Sequence, residues 1–168
     1  MKNAVIILIS ALFLSCNNSN ESEDEIKYNG VNLNVGINLS VVNNQNEDLL
    51  NPLREDGYKE EDIRMFHLLN NEVIEYAPDD WLSNPKGFKI YKSDIEDKYI
   101  LRILLLNSAE TEELPTTYLQ WNENETDTLK VTYRRMGSSV IKETVLLNDV
   151  LIWDERVNGS SNYVTIEK

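Results

Sequence analysis

The single histidine of this 168-residue chain, His67, is the side chain best suited to acid–base catalysis or metal binding near neutral pH. It would have to serve a Ser-His-Asp triad or a histidine metal site without a second histidine. The hairpin that residues 63–76 predict places His67 opposite Ile74, between Met65 and Tyr76. Because these neighbours are largely apolar, we expect His67 to pack in a sheet rather than to act in catalysis.

Carboxylates are the other candidate catalytic groups. Pairs such as Asp79 and Asp80, or the acidic run 60–62, offer the two acids that glycoside hydrolysis requires. The chain has 29 aspartate and glutamate residues, so adjacent acids also occur without any function. The sequence lacks the G-x-S-x-G and H-E-x-x-H motifs and a phosphate-binding glycine loop. We therefore predict that the protein is not an enzyme, and a carboxylate-dependent glycan hydrolase ranks last among its candidate functions.

Metal ligands are limited mainly to oxygen donors, since one cysteine cannot build a thiolate site. Acidic clusters at 55–57, 60–62 and 94–97 offer the hard oxygen ligands that Ca²⁺ prefers. Neither these clusters nor residues 122–127 follow the spacing of an EF-hand loop. The sequence therefore predicts solvated acidic loops, no metal site and no cofactor.

Trp81 is the residue that most suggests a ligand platform. Asp79, Asp80 and Asn84 flank it, and an indole beside hydrogen-bonding side chains suits the stacking of a sugar ring. A tryptophan that closes the end of a hydrophobic core would have the same sequence neighbours. Both interpretations stay open, and closure is favoured because buried aromatic residues supply much of a small core's area.

Thr128 is a candidate modification site. The segment Asp127-Thr128-Leu129 resembles the Asp-(Ser/Thr)-apolar pattern at which Bacteroidota attach O-glycans to exported proteins. A threonine at this position also suits the start of a β-strand.

The N-terminus resembles a bacterial lipoprotein signal. Lys2 provides a positive start, residues 4–14 form an apolar run too short to span a membrane, and Ser15 precedes Cys16. In the lipobox that this pattern resembles, a signal peptidase cuts before the cysteine, whose thiol carries diacylglycerol. We expect residues 1–15 to be a signal peptide and Cys16 to be the lipid-attachment site.

Residues 16–29 are expected to be the lipidated cysteine and a disordered tether, because they are polar, acidic and nearly free of apolar side chains. The acidic run at 21–25 resembles the signal that exports some Bacteroidota lipoproteins to the cell surface, and a solvated spacer is the alternative. The predicted location is the outer membrane, with the lipid as anchor and the protein facing the periplasm or the outside. The net charge of −13 disfavours nucleic acid as a partner.

Alternating apolar residues mark the start of the folded part. Strict period-2 alternation from Val31 to Val41 predicts a strand with one buried face. Asn70 and Asn71 suit a tight turn within the hairpin at 63–76, because asparagine tolerates positive φ. A helix with one apolar face is the alternative for this segment, and the hairpin is favoured.

Further strands are predicted at 88–91, 99–106, 116–121, 128–135, 139–147, 150–153 and 162–167. Residues 99–106 are a nearly continuous apolar run, typical of a central strand covered on both faces. Trp121 and Trp153, at strand ends, are expected in the core. Short strands and turns, without a convincing long helix, predict one all-β domain at 30–168, an Ig-like or related antiparallel β-sandwich of about 7–9 strands.

Four segments, in this order, resemble a family of small Bacteroidota lipoproteins of unknown function. They are EDLLNP at 47–52, DIRMFHLLNNEV at 62–73, TDTLKV at 126–131 and VLLNDVLIW at 145–153. The resemblance covers most of residues 31–155 and implies an exported β-sandwich. It implies no activity and no catalytic residues.

The predicted function is a non-enzymatic, lipid-anchored binding or interaction module of the outer membrane, with a protein or glycan as ligand. The alternative is an accessory structural subunit of an envelope complex. An open edge strand or a flat apolar patch would favour protein partners, whereas an exposed Trp81 with polar neighbours would favour glycans.

Overall fold

The computed structural model describes residues 32–76, 86–107 and 114–168. Eleven strands and one short helix are formed by these residues. In chain order they are β1 (Leu33–Asn34), β2 (Gly36–Val42), β3 (Arg64–Leu69), β4 (Glu72–Glu75), β5 (Phe88–Lys92), β6 (Tyr99–Leu104), β7 (Thr116–Asn122), β8 (Glu125–Met136), β9 (Ser139–Leu147), β10 (Val150–Asp154), α1 (Glu155–Asn158) and β11 (Tyr163–Glu167). No helix in these three segments is long and apolar enough to cross a membrane.

The strands form two sheets. The larger sheet has seven strands in the order β1-β9-β8-β7-β3-β4, with β10 also paired to β9. The smaller sheet has four strands in the order β11-β2-β6-β5. β1 runs parallel to β9 and β11 runs parallel to β2, whereas the other pairs are antiparallel. The first and last strands of the described chain therefore lie at sheet edges.

One hydrophobic core lies between the two sheets. The larger sheet contributes Met65, Leu119, Trp121, Leu129, Val131, Val145 and Trp153, and the smaller sheet contributes Ile37, Leu39, Val41, Phe88, Leu101, Ile103 and Ile166. This shared core confirms the predicted all-β sandwich and the predicted burial of both tryptophans. The described residues form eleven strands rather than the expected number of about 7–9, and two of the strand pairs are parallel. Local sequence patterns do not report the parallel pairs, because these join residues more than 100 positions apart.

β3 and β4 form the predicted hairpin, with His67 opposite Ile74. Asn70 and Asn71 adopt φ of 51° and 65°, the left-handed geometry that a two-residue hairpin turn requires. The alternative of a helix in this segment is therefore wrong. The local turn chemistry prevailed over a pattern of apolar residues that also fits helical spacing.

The predicted first strand is divided at Val35. β1 pairs with β9 in the larger sheet, whereas β2 pairs with β6 and β11 in the smaller sheet. At the crossing, Val35 O accepts the N–H of Leu105 at 2.9 Å and Gly36 O accepts from Lys142 Nζ at 2.5 Å. The prediction of one continuous strand with one buried face is therefore wrong. The apolar alternation in the sequence runs across Val35, but the backbone partners change there, and Leu33 is 60% exposed.

A β-bulge in β9 turns a lysine into the core. Thr132 pairs with Thr144 and Tyr133 pairs with Lys142, so that Glu143 lies opposite no residue of β8. The extra residue reverses which side chains face inward. As a result, Lys142 points towards the core and is fully buried.

Candidate functional site

A groove opens between the two sheets near the point where the chain crosses from one to the other. Its volume is about 470 Å³, and it is lined by Val35, His67, Leu69, Ile74, Glu75, Tyr76 and residues 104–107. Most of these side chains are aliphatic or aromatic, so this inter-sheet groove suits an apolar group of a ligand.

His67 lies in the wall of the inter-sheet groove with 7% of its surface exposed. Its Nδ1 lies 3.2 Å from Thr117 Oγ1, which also accepts the N–H of Leu106 at 3.2 Å. We therefore assign the Thr117 hydroxyl as the donor to Nδ1, which leaves the proton of the neutral ring on Nε2. Burial lowers the pKa of His67 from 6.5 to about 4, so the ring is uncharged at neutral pH. The prediction of a packed sheet histidine is confirmed.

The ring of Tyr76 packs against His67 edge to face, with the ring centroids 5.1 Å apart. Gly87 makes room for this contact. A Cβ at Gly87 would lie 1.9 Å from Met65 Cε and 2.6 Å from Tyr76 Cδ1. Its φ of 73° is also one that residues with side chains seldom adopt. The His67 ring is therefore part of a packed wall of the groove and is not an exposed acid–base group.

β4 is an edge strand beside the inter-sheet groove. Within the described residues it pairs with β3 alone, and all four of its residues are exposed. Ile74, which is 47% exposed, lines the groove, and Val73, which is 59% exposed, faces the other side of the sheet. The sequence predicts this strand but not its edge position, because that position depends on the order of strands in the sheet.

A buried polar centre surrounds Asp127, which is 3% exposed. Its carboxylate accepts hydrogen bonds from Trp121 Nε1 at 2.7 Å and Asn148 Nδ2 at 2.8 Å, and it pairs with Lys168 Nζ at 2.6 Å. Burial alone would raise the pKa of Asp127, but the bonds from Lys168, Asn148 and Trp121 lower it. The carboxylate is committed to these contacts, so the centre stabilises the fold.

Thr128 lies in β8, half-buried and opposite Tyr118 on the outer face of the larger sheet. Its N–H donates to Asn148 Oδ1 at 2.9 Å, and its carbonyl oxygen accepts the Asn148 N–H at 2.8 Å. Asp127 faces inward, so Thr128 is the residue of the modification motif that faces outward. O-glycosylation of Thr128 stays a prediction.

The predicted lipid-attachment residue and ligand platform lie outside the described residues. These are Cys16, Trp81, Asp79, Asp80 and Asn84. Their predicted roles therefore stay predictions.

The acidic clusters form ion pairs or face solvent. Asp56 pairs with Arg54, and Asp97 pairs with Lys92, both at 2.7 Å. A polar hollow of about 760 Å³ contains Glu61 and other exposed acids. In the part of the chain that the structure describes, no three His, Cys, Asp or Glu side chains are grouped so as to hold a metal ion.

Comparison with known proteins identifies no relative of this chain. No protein-family model matches the chain, and neither the curated proteins nor the solved structures give a match. Membership of the small Bacteroidota lipoproteins stays a prediction from the sequence motifs.

Proposed function

We propose that this chain is a non-enzymatic lipoprotein of the outer membrane that binds an extended segment of a partner protein. The observation that supports this most directly is the position of the exposed edge strand β4 against the apolar inter-sheet groove. An extended segment can add to such an edge through backbone hydrogen bonds while its side chains enter an adjacent pocket.

The backbone of β4 offers the groups that such a segment needs. Tyr76 N–H donates to Met65 O at 2.8 Å. Because hydrogen-bonded and non-hydrogen-bonded pairs alternate along an antiparallel hairpin, the N–H and C=O groups of Val73 and Glu75 point away from β3. An added strand would bond to these groups and place alternate side chains beside Ile74 and the groove.

The charges at this edge favour a basic segment. Glu72 and Glu75 flank the two apolar residues of β4, and the whole chain has a net charge of −13. Arg64 pairs with Glu75, whereas Glu72 takes part in none of the ion pairs of the described residues. Opposite charges speed encounter and fix orientation. We expect a partner segment that alternates apolar residues with lysine or arginine.

Selection of displayed peptides against the purified chain tests this binding mode. Val73→Pro should abolish binding, because proline removes an outward N–H that makes no bond to β3. Val73→Thr keeps that N–H and is the matched control, which should bind like the unchanged chain. Equal binding by the two variants, or enrichment of peptides without apolar–basic alternation, would contradict the proposal.

Lipid attachment at Cys16 would hold this module near the membrane. Residues 16–31 precede the described domain and would reach about 55 Å if fully extended. Cys16→Ser should release the protein into the soluble fraction and abolish fatty-acid labelling. Unchanged membrane association and labelling would rule out the lipid anchor.

An accessory subunit of an envelope complex is the second candidate, because a permanent partner would use the same edge strand. Purification of the intact lipoprotein distinguishes the two. A stoichiometric partner that stays bound throughout would favour a subunit, whereas a partner that exchanges would favour an interaction module.

A further inference from the structure

Tyr91 and Tyr163 come from opposite edges of the smaller sheet, yet their hydroxyl oxygens are 3.1 Å apart. β5, which carries Tyr91, and β11, which carries Tyr163, are separated by β6 and β2. Three strand spacings amount to about 14 Å. Both side chains must therefore lie along the face of the sheet and meet above its two central strands.

The two tyrosines lie on the outer face of the sheet, turned away from the core. Tyr91 is in register with Ile100, which alternates with the core residue Leu101. Tyr163 is in register with Asn38 on the same outer face. Ile100 is nevertheless only 1% exposed. A residue that faces outward is buried only when other side chains cover it. The side chains of Tyr91 and Tyr163 meet above the two central strands, where they can cover Ile100.

Two polar atoms are buried on the same face. Asn38 Oδ1 and Ser40 Oγ belong to outward residues of β2 and have no hydrogen-bond partner among the described residues. Ser40 as a whole is 5% exposed. Nearly all buried polar atoms in folded proteins have a partner. These two atoms therefore mark a position where hydroxyl groups of a ligand would find hydrogen bonds.

Two cations border this position. Arg102 is in register with Asn38 on one side and with Lys89 on the other, so all three share the outer face. Both cations are exposed, and the ion pairs of the described residues include neither of them. On a chain with a net charge of −13, Arg102 and Lys89 place two positive charges beside the two aromatic rings, and the carboxylate of Asp94 also lies within electrostatic range of Tyr91.

We propose that this outer surface, the tyrosine face, binds an acidic saccharide. It consists of Tyr91, Tyr163, Asn38, Ser40, Lys89 and Arg102. The apolar face of a sugar ring packs on an aromatic ring, and the guanidinium of Arg102 binds a carboxylate through two parallel hydrogen bonds. As the saccharide enters, the hydrogen bond between the hydroxyl groups of Tyr91 and Tyr163 breaks. The hydroxyl groups of the saccharide then reach Asn38 and Ser40.

The charge distribution selects a small acidic ligand over an extended anionic surface. A membrane or a nucleic acid presents negative charge over a wide area and is repelled by the acidic remainder of the chain. A short saccharide contacts the tyrosine face alone. This inference goes beyond the proposed function, because it concerns a different ligand and the opposite sheet from β4.

Calorimetric titration of the purified chain with a tetrasaccharide of galacturonic acid tests the proposal, with the neutral galactose tetrasaccharide as reference. We expect binding of the acidic saccharide only. Arg102→Gln should weaken it by about ten- to hundredfold, the usual effect of losing hydrogen bonds to a charged group. Tyr163→Ala should abolish binding, whereas Tyr163→Phe keeps the ring and should retain most of it.

Lys130→Gln, on the outer face of the other sheet, is the matched control and should not change the affinity. Thermal melts of each variant verify that the fold is retained. Any one of three results would overturn the proposal. They are no binding at millimolar saccharide, equal affinity for the neutral reference, and unchanged affinity of Tyr163→Ala and Arg102→Gln. Binding to phosphatidylglycerol vesicles through the same residues, without saccharide binding, would make this face a lipid contact and also overturn it.

Discussion

The ammonium group of Lys142 lies 4.1 Å from the centroid of the Trp153 ring, with both side chains buried in the core. Its Nζ also donates to Gly36 O at 2.5 Å and to Asn162 Oδ1 at 3.0 Å. No acidic side chain of the described residues forms an ion pair with it. Two oxygen dipoles and an aromatic face hold this charge, and burial lowers the pKa of Lys142 from 10.5 to about 8.

The stability of the protein should therefore increase with pH on the alkaline side. Between pH 8 and 10.5 the unfolded chain keeps the proton of Lys142 while the folded chain releases it, so unfolding becomes less favourable as pH rises. From pH 7.5 to 10 this group should add about 2 kcal/mol to the free energy of unfolding. Urea unfolding of the unchanged chain and of Lys142→Met measures the difference. Equal pH dependence of the two proteins would contradict the shifted pKa.

His67 should give a pH dependence of the same sign on the acidic side, where stability falls as the pH falls. Its folded pKa of about 4 lies below the unfolded value of 6.5, so the unfolded state takes up the proton first as pH falls through this window. Stability should fall by about 2 kcal/mol between pH 7.5 and 5. His67→Gln removes this group, and its unfolding should lose that part of the pH dependence. A variant with the same acid sensitivity as the unchanged chain would show that His67 is accessible to protons in the fold.

The Asp127 centre should be important for stability. Asp127→Ala would leave the Trp121 N–H without its buried acceptor, whereas Lys168 would keep its ion pair with the more exposed Glu125. Removal of one partner of a buried ion pair costs about 3–5 kcal/mol, and because Lys168 keeps Glu125 we expect the lower end of this range. Asp97→Ala is the matched control, because Asp97 pairs with Lys92 on the surface with its side chain 91% exposed, and it should leave the denaturant midpoint unchanged. Similar midpoints for the two variants would show that the buried carboxylate is dispensable.

The hairpin turn offers a test of backbone geometry. Asn71 has φ of 65°, where a residue with a Cβ other than asparagine or aspartate is strained. Asn71→Ala should lower the free energy of unfolding by about 1–2 kcal/mol, and Asn71→Gly should preserve it. Denaturant unfolding of the two variants compares them directly. A loss with glycine as large as that with alanine would indicate that the asparagine side chain, rather than φ, stabilises the turn.

The local elements of this fold follow from the sequence alone. The apolar alternation around Leu39 and Val41 predicts a strand with one buried face, and both residues are fully buried. Asn70-Asn71 predicts a hairpin because the needed φ is a property of the residues themselves. The packed role of His67 follows from its register within that hairpin. These features depend on neighbours within a few positions, which local patterns report.

The tertiary structure alone decided which surfaces face one another. The alternation of apolar and polar residues around Lys142 does not reveal the bulge at Glu143. This bulge depends on the pairing between β8 and β9, and it turns the lysine inward. Tyr91 and Tyr163 meet because β11 pairs with β2, a contact between strands more than 100 residues apart. The crossing at Val35 likewise depends on distant partners in both sheets. A strand's amphipathic pattern specifies its buried face but not its neighbours, because many strands of one chain present similar faces and the choice among them is made by packing of the whole core.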